Sequence, residues 1–556
     1  VATVGAIFIL PFLLFSGYAG HLADACSKRQ VLVWTKMLEV AAMLLAVPAL
    51  ITGRMELLLT VVFLMALQST FFSPAKYGIV PEMLPEGELS RANGLLEMST
   101  FVAIVIGTSI GGLIFTALRD RPTIIGGVLV GIAALGTVIS LRIPHTVATK
   151  STARMRWSPW GEVMTGLRQL YPDRTLWMTA VGASFFWFLG AVLQLALLPY
   201  ADATLGVSAA AATQLYTAMA IGIGVGSMVA GRLSGSHIEL GLVPLGSFGL
   251  GIFGLALAAA APSYWWSAVA LLALGLSGGF FAVPLNALLQ QRPAEYEKGR
   301  VLATVNVMQT VGILLASAGI WFLGTYLGLS MSAVFAVVGV ITLLGSFYAL
   351  ATLPAFFIRF TLWLLTHTLY RITVVGKPYV PNDGPALLIC NHVSMVDGLL
   401  VGASVQRFVR FMIHGPYYRF PLFHFVLKRM HAIPVTAGDK ERVAVSIERA
   451  RAELRAGHVV CIFAEGAVSR TGNLLPFRRG FERILDGLDV PVIPVYLDRI
   501  WGSVFSFKKE RFFWKMPERF PYPVTVAFGA PLPVTVTAPQ AHAAISELGT
   551  DAMRHR

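Results

Sequence analysis

From Val1 to about Leu353 the chain is a succession of apolar runs, each about 18 to 25 residues long, broken by short polar loops. No other feature limits its fold so strongly. A helix of that length crosses the roughly 30 Å of hydrocarbon in a bilayer. In lipid every backbone polar group must be satisfied internally, and unbroken apolarity over such lengths is the pattern of helices rather than of barrel strands. Spans over 2–19, 31–52, 56–75, 95–117, 123–142, 176–199, 211–230, 240–261, 264–289, 301–326 and 330–353 give about eleven crossings. A hydrophobic content of 56 %, with 13 % charged residues, excludes a wholly soluble chain of ordinary composition. After Leu353 the runs stop. Short β-branched strands then alternate with charged helical segments, the pattern of an α/β domain. The expected fold class is therefore an all-α polytopic membrane domain followed by an α/β domain.

The formal charge of +14 sits in loops between apolar spans and in the C-terminal part, so anionic lipid headgroups, not nucleic acid, are the expected partner. Cys26, Cys390 and Cys461 have neither metal-ligand nor disulfide-framework spacing. Free thiols and no metal or cofactor are expected. Residue 1 is a valine inside an apolar run, which reads as a point within a longer chain, and no signal peptide is visible.

The membrane part carries an internal echo. Gly20-His21-Leu22-Ala23-Asp24 recurs as Gly231-Arg232-Leu233-Ser234-Gly235, Pro74 as Pro284 and Arg91 as Arg300, at an offset of about 210 residues. Duplicated halves are a common plan of secondary transporters. The loop Gly20 to Arg29 combines a glycine suited to close helix approach, Asp24 near a helix end and the cations Lys28-Arg29. It resembles the loop signature of the major facilitator superfamily, which follows the second of twelve spans. By that resemblance residues 1–353 form a major facilitator domain whose first span lies outside this sequence, with halves of about 1–143 and 176–353 and a central loop over 144–175. Ser73-Pro74-Ala75-Lys76-Tyr77-Gly78 and Arg91-Ala92-Asn93-Gly94-Leu95-Leu96-Glu97 resemble segments of bacterial lysophospholipid transporters, which implies a lysophospholipid cargo.

Charged groups inside a bilayer are costly unless paired or facing water, so they mark a pathway. Asp24, Lys36, Glu39, Lys76, Asn93 and Glu97 are the transport candidates, although Lys36 and Glu39, three residues apart, also suit a structural ion pair. Gln68, Gln194, Asn286, Gln290, Asn306 and Gln309 are further interior polar groups, of the kind that often glue helices together.

Positive charge in Lys28-Arg29, in Arg154 to Arg174 and after Phe357 places those loops, and the C-terminal domain, on the cytoplasmic side. Residues 354–374, with the aromatic and leucine-rich Phe356 to Tyr370, read as an interfacial linker helix. The soluble domain is expected over 375–540 and a linker or tail over 541–556. Ala386 to Cys390 reads as a buried strand that delivers Asn391 and His392 to a loop, and Asp397 follows the histidine by five residues. A neutral imidazole can take a proton from an alcohol while a carboxylate fixes its tautomer. Val459 to Phe463 delivers Ala464-Glu465-Gly466-Ala467-Val468-Ser469-Arg470, and Val490 to Val495 follows a helix over Phe481 to Leu488.

These blocks, in this order, resemble the glycerolipid acyltransferase family that contains the 1-acylglycerol-3-phosphate acyltransferases. The resemblance implies His392 as general base and Asp397 as its partner. It also implies an acceptor site drawn from Asn391, Ser394, Glu465, Gly466, Ser469, Arg470, Arg478 and Gly480. Ala464 and Ala467-Val468 replace the family's proline and Thr-Arg, and His431 to Val435 lacks an arginine found in users of phosphate monoesters. That suits a lysophospholipid diester, as in bacterial 2-acylglycerophosphoethanolamine acyltransferases, whose donor is acyl-acyl carrier protein charged by a synthetase domain in the full-length chain. Acyl-CoA is the other donor. The mixed aromatic and cationic run Phe507 to Phe520 suits a membrane interface or an acidic carrier protein.

The combined expectation is inward transport of lysophospholipid across a bacterial inner membrane, coupled to re-acylation by the His-x4-Asp enzyme. Two rivals stand beside it. One is a lysophosphatidate acyltransferase using acyl-CoA, fused to an exporter of another amphiphile. The other is a lipid-binding domain that regulates transport without catalysis.

Overall fold

The computed structural model describes residues 2–145, 159–234, 238–294, 297–352, 354–381, 384–405, 407–420, 424, 427–436, 438–507 and 519–553. Arg154, Gly235 and most of the Phe507 to Phe520 run lie outside them. The chain divides into two compact units, Val1–Thr352 and Leu353–Arg556.

The first unit is helical: α1 (Ala2–Ala25), α2 (Lys28–Thr52), α3 (Met55–Gly78), the short α4 (Val80–Met83), α5 (Leu89–Ala117), α6 (Pro122–Ser140), α7 (Pro159–Leu170), α8 (Arg174–Ala203), α9 (Ala209–Ser234), α10 (Leu242–Ala259), α11 (Tyr264–Gln291), α12 (Lys298–Ile320) and α13 (Met331–Thr352). Among the described residues 11 helices are long and apolar enough to cross a membrane. Local signals end and start them: Gly53 closes α2 at φ 62°, the Asp173 carboxylate caps α8 through Thr175 N and Leu176 N, and Ser263 caps α11.

Without a hydrophobic drive between helices in lipid, close backbone packing holds the unit together. A Cβ on Gly222 or Gly226 of α9 would lie 2.2 Å from a carbonyl oxygen of α11, and one on Gly275 of α11 would lie 2.1 Å from Met219 O. The two halves meet the same way at two places. Gly20 of α1 packs on Gly299 to Ala303 of α12, and Gly94 of α5 packs on Ser227 and Gly231 of α9. The echoed glycines therefore stand at equivalent contacts of a duplicated structure. The central loop contains α7, whose buried Glu162 receives Arg300 Nε at 3.1 Å.

The second unit wraps helices around a seven-stranded sheet of order β1-β7-β6-β2-β5-β3-β4. Its strands are β1 (Tyr370–Val375), β2 (Ala386–Cys390), β3 (Val409–His414), β4 (Ile433–Val435), β5 (Val459–Phe463), β6 (Val492–Asp498) and β7 (Tyr522–Phe528). All neighbours are parallel except β6 and β7. The helices are α14 (Pro354–Leu369), α15 (Asp397–Ser404), α16 (Gly415–Arg419), α17 (Lys440–Arg455), α18 (Gly480–Leu485) and α19 (Ala538–Met553). Strand β2 is central and wholly buried, as its unbroken Ala-Leu-Leu-Ile-Cys run requires.

Two expectations need correction. The linker helix ends at Leu369, and Tyr370 to Val375 pairs in register with β7, so the last part of 354–374 belongs to the sheet. Residues 541–553 are not a tail: α19 buries Ala541, Ile545 and Ala552 against the core, an apolar spacing that fits one helix face.

Candidate functional site

Asn391 and His392 leave the sheet at the carboxyl end of β2, where the chemistry of open α/β sheets concentrates. His392 Nδ1 lies 2.8 Å from Asp397 Oδ2, and Asp397, the first residue of α15, is fully buried. The same oxygen accepts Val393 N at 2.6 Å and Ser394 N at 2.9 Å. Two backbone N–H groups already donate to this oxygen, which marks it as an acceptor towards the ring as well, so Nδ1 donates and the Nε2 lone pair is left for a substrate. The ring stacks on Phe463 with centroids 4.2 Å apart, which restricts its rotation.

The main chain of His392 is held from both sides by the Glu465 loop. Glu465 Oε1 accepts His392 N at 2.8 Å, and Ser469 N donates to His392 O at 2.7 Å. The other carboxylate oxygen of Glu465 accepts Leu475 N at 3.1 Å. Asn391 acts as a side-chain continuation of the sheet: its Oδ1 accepts Leu497 N at 2.7 Å and its Nδ2 donates to Leu497 O at 3.2 Å. Ser394 Oγ donates to Phe505 O at 3.0 Å, and Ser469 Oγ donates to Asn473 O at 2.7 Å.

Asn391, Ser394, Glu465 and Ser469, expected against the acceptor, are each buried and bonded to backbone. Their bonds fix the main chain around His392. Buried loops leave their N–H and C=O groups without ladder partners, and these side chains supply them.

The cations are placed differently. The Arg478 side chain lies over Gly466, where a Cβ would come within 2.8 Å of its Cδ and Nε, and Gly466 itself sits at φ 71°. The Arg478 backbone N–H donates to Ala464 O at 2.8 Å. Arg470 lies over the Phe507 ring at 5.2 Å. Gly480 opens α18 just after these arginines.

Burial pushes the Glu465 carboxyl up to about 7, against the lowering pull of its two backbone donors and of His392. Burial also holds the thiols of Cys390 and Cys461 well above their usual range, so both stay protonated and neither suits a nucleophile. Among the described residues no cluster of His, Cys, Asp and Glu fits a metal. Phe463 is the neighbour that motif reasoning passed over. Its position as the last residue of the strand before Ala464-Glu465-Gly466 was the available signal.

In the helical unit the six transport candidates fall into five groups. Lys36 Nζ and Glu39 Oε2 form a 2.7 Å ion pair joined by Gln68 Nε2 at 3.2 Å, and both charged side chains are partly exposed. Lys76 Nζ donates to Thr100 Oγ1 at 3.1 Å. Buried Glu97 accepts Tyr77 Oη at 3.0 Å and Asn286 Nδ2 at 2.9 Å, which ties α5 to α3 and α11. Asn93 and Gln290 exchange two amide bonds of 2.9 and 2.8 Å, a closed pair between the halves. Asp24 accepts Gly299 N at 2.6 Å and Arg300 N at 2.9 Å at the start of α12. Asp24 and Asn93 thus join helices, whereas the Lys36–Glu39 pair retains access.

Fold and site together define a membrane-spanning helical carrier joined in one chain to an α/β acyltransferase domain. Residues 1–317 match the Major Facilitator Superfamily and residues 371–498 match the Acyltransferase family. The chain belongs to the Major Facilitator Superfamily, in a form fused to an acyltransferase domain. It is 30 % identical over 351 residues to the Lysophospholipid transporter LplT of Enterobacter sp. (strain 638), covering 62 % of this chain and 83 % of that one. It is 32 % identical over 354 residues to the protein of that name from Cronobacter sakazakii (strain ATCC BAA-894), again covering 62 % and 83 %. The crystal structure of the human organic anion transporter MFSD10 (TETRAN) shares the fold, with a TM-score of 0.53 at 14 % identity over 62 % of this chain and 82 % of that one.

Proposed function

We propose that this chain carries lysophospholipid inward across a bacterial inner membrane and restores its missing acyl chain on the cytoplasmic side. The observation that carries the reading is the His392–Asp397 pair, 2.8 Å apart, in a unit that follows an LplT-like transporter. The free glycerol hydroxyl of the lysolipid gives its proton to His392 Nε2 as its oxygen attacks the carbonyl carbon of an acyl thioester. Asp397 holds the imidazole in the reactive tautomer and stabilises the cation that forms. The tetrahedral oxyanion then collapses, the carbon–sulfur bond breaks, and the departing thiolate takes the proton back from His392. Arg478 and Arg470 are the groups proposed to receive the acceptor's phosphate.

Acyl-acyl carrier protein or acyl-CoA serves as donor, and a synthetase domain elsewhere in the full-length chain would supply the former. Helix α14, one residue after the last span and bearing exposed Leu364, Leu365 and Leu369, is proposed to lie in the headgroup interface, where an acceptor is already concentrated. On the transport side Lys36, Glu39, Lys76 and Glu97 are proposed to meet the headgroup.

Joining the two units gives the transported lipid a high effective concentration at the enzyme. Spheroplasts given labelled lysophospholipid test the reading. His392→Ala is expected to retain uptake and accumulate label as lysolipid, whereas wild type converts it to diacyl product. Equal diacyl product from both proteins refutes the catalytic role of His392.

A further inference from the structure

Behind the His392–Asp397 pair lies a set of polar atoms that the reaction leaves unused. Asp397 Oδ2 takes all three hydrogen bonds described above, while Oδ1, equally enclosed, has no well-formed partner among the described residues. Two hydroxyls share that condition, Tyr370 Oη and Ser503 Oγ. Tyr370 is 3 % exposed and Ser503 is 0 % exposed. The three belong to one neighbourhood: β1, which Tyr370 opens, packs against α15, which Asp397 opens, and Tyr370 shares a buried cluster with Val393 of the histidine loop and Ile500 of the Ser503 turn, so that the phenol stands beside the Ser503 hydroxyl and in the field of Asp397.

The chain is shaped to bring them there. Tyr370 opens β1 and packs edge-on against Tyr522 of β7. Ser503 sits in a tight turn after β6 that uses Arg499 at φ 63° and Gly502 at φ 108°. That turn is fastened to the histidine loop by the Ser394–Ser506 bridge and by Met395 N donating to Phe505 O at 3.1 Å. A non-glycine residue at positive φ is strained, and such strain persists where the surroundings hold a segment in place.

We propose that Tyr370 and Ser503 are positioning residues for the acyl-transfer base, their hydroxyl dipoles stabilising the negative charge on Asp397 Oδ1. The inference rests on the reading of His392 and Asp397 as the catalytic pair. A buried carboxylate oxygen stripped of water is costly unless dipoles replace the solvent. The other titratable groups around Asp397 are His392, Glu465, Cys390 and Cys461, with Tyr522 behind Tyr370. The thiols stay neutral. Glu465 titrates near neutrality, so a rate profile alone does not isolate the histidine.

Removing either hydroxyl makes the negative charge less well solvated, and the coupled pair then binds its proton more tightly. Tyr370→Phe and Ser503→Ala are each expected to raise the pKa of the pair by about half a unit or more, about threefold in proton affinity. Ser404→Ala deletes a buried hydroxyl from the same helix that donates only to Leu400 O, and is expected to leave it unchanged.

The experiment has two readouts on the full chain in detergent. The first is the pH profile of kcat/KM for acyl transfer to a lysophospholipid. The second is the rate at which diethylpyrocarbonate modifies His392 as a function of pH, followed by peptide mass spectrometry, which needs no turnover. A rise in both for Tyr370→Phe and Ser503→Ala supports the assignment. An unmoved His392 midpoint in folded Ser503→Ala, the smaller change, overturns it even where Tyr370→Phe is too unstable to measure. Absence of acyl transfer by wild type refutes the enzyme reading alone, because the modification midpoint still reports on the pair.

Discussion

Asn391 offers the sharpest test of how the site is held, because one substitution alters its hydrogen bonding without altering its shape. In wild type the amide accepts Leu497 N at 2.7 Å and donates to Leu497 O at 3.2 Å in a place that is 1 % exposed. Asn391→Asp keeps the acceptor but, when ionised, turns a second oxygen towards the Leu497 carbonyl. A protonated carboxylic acid restores both bonds. The substituted protein therefore keeps the proton, and the price of folding at high pH is the free energy of protonating an acid with an unfolded pKa of about 3.9. That ceiling is about 1.4 kcal/mol per pH unit above this value, so about 1.5 kcal/mol at pH 5 and about 5.5 kcal/mol at pH 8.

The sign follows from linkage. A folded-state pKa raised above the unfolded one stabilises below the unfolded value and loses that stability as pH rises through the folded value. Asn391→Ala, which leaves both Leu497 groups unpaired, should cost about 2–4 kcal/mol with little pH dependence. Urea unfolding of the acyltransferase unit in the intact detergent-purified protein, read by pulse proteolysis between pH 5 and 8, supplies the comparison. Should Asn391→Asp track wild type at every pH, the sheet-extending role of Asn391 is wrong and a substrate contact becomes the better account.

Two further outcomes follow from the same geometry. Glu465, raised from 4.5 to about 7 by burial, should make the unit less stable by about 3 kcal/mol as pH rises from below 4.5 to above 7, and Glu465→Gln should flatten that dependence in the same unfolding assay. In the helical unit, a Cβ on Gly94 would lie 2.5 Å from Ser227 O. Gly94→Ala should wedge α5 from α9, cost about 1–3 kcal/mol and cut lysolipid uptake in spheroplasts while acyl transfer by the detergent-purified protein is retained.

Much of this molecule was legible in its residues, for unequal physical reasons. Spans are legible because hydrocarbon imposes length and apolarity on every crossing helix, and the echoed Gly20 and Gly231 because only glycine admits such close approach. His392 and Asp397 lie five residues apart, so a single turn brings them together. The work of Asn391 was hidden because its partner is the backbone of Leu497, 106 residues away and without a side-chain signature. Glu465 was singled out by family resemblance; the two backbone donors that hold its carboxylate, His392 N and Leu475 N, carry no side-chain signature in the sequence. Tyr370 read as the end of a linker because β1 is defined by pairing with β7 about 150 residues later, and no local pattern encodes that register.

The central claim is tested most directly by acyl transfer with the purified protein, from labelled acyl-acyl carrier protein and acyl-CoA to lysophosphatidylethanolamine, lysophosphatidylglycerol and lysophosphatidate, in wild type and His392→Ala. The account predicts diacyl product on a lysophospholipid diester, lost by at least about a hundredfold in His392→Ala. Product on lysophosphatidate alone, or product that survives loss of His392, contradicts it.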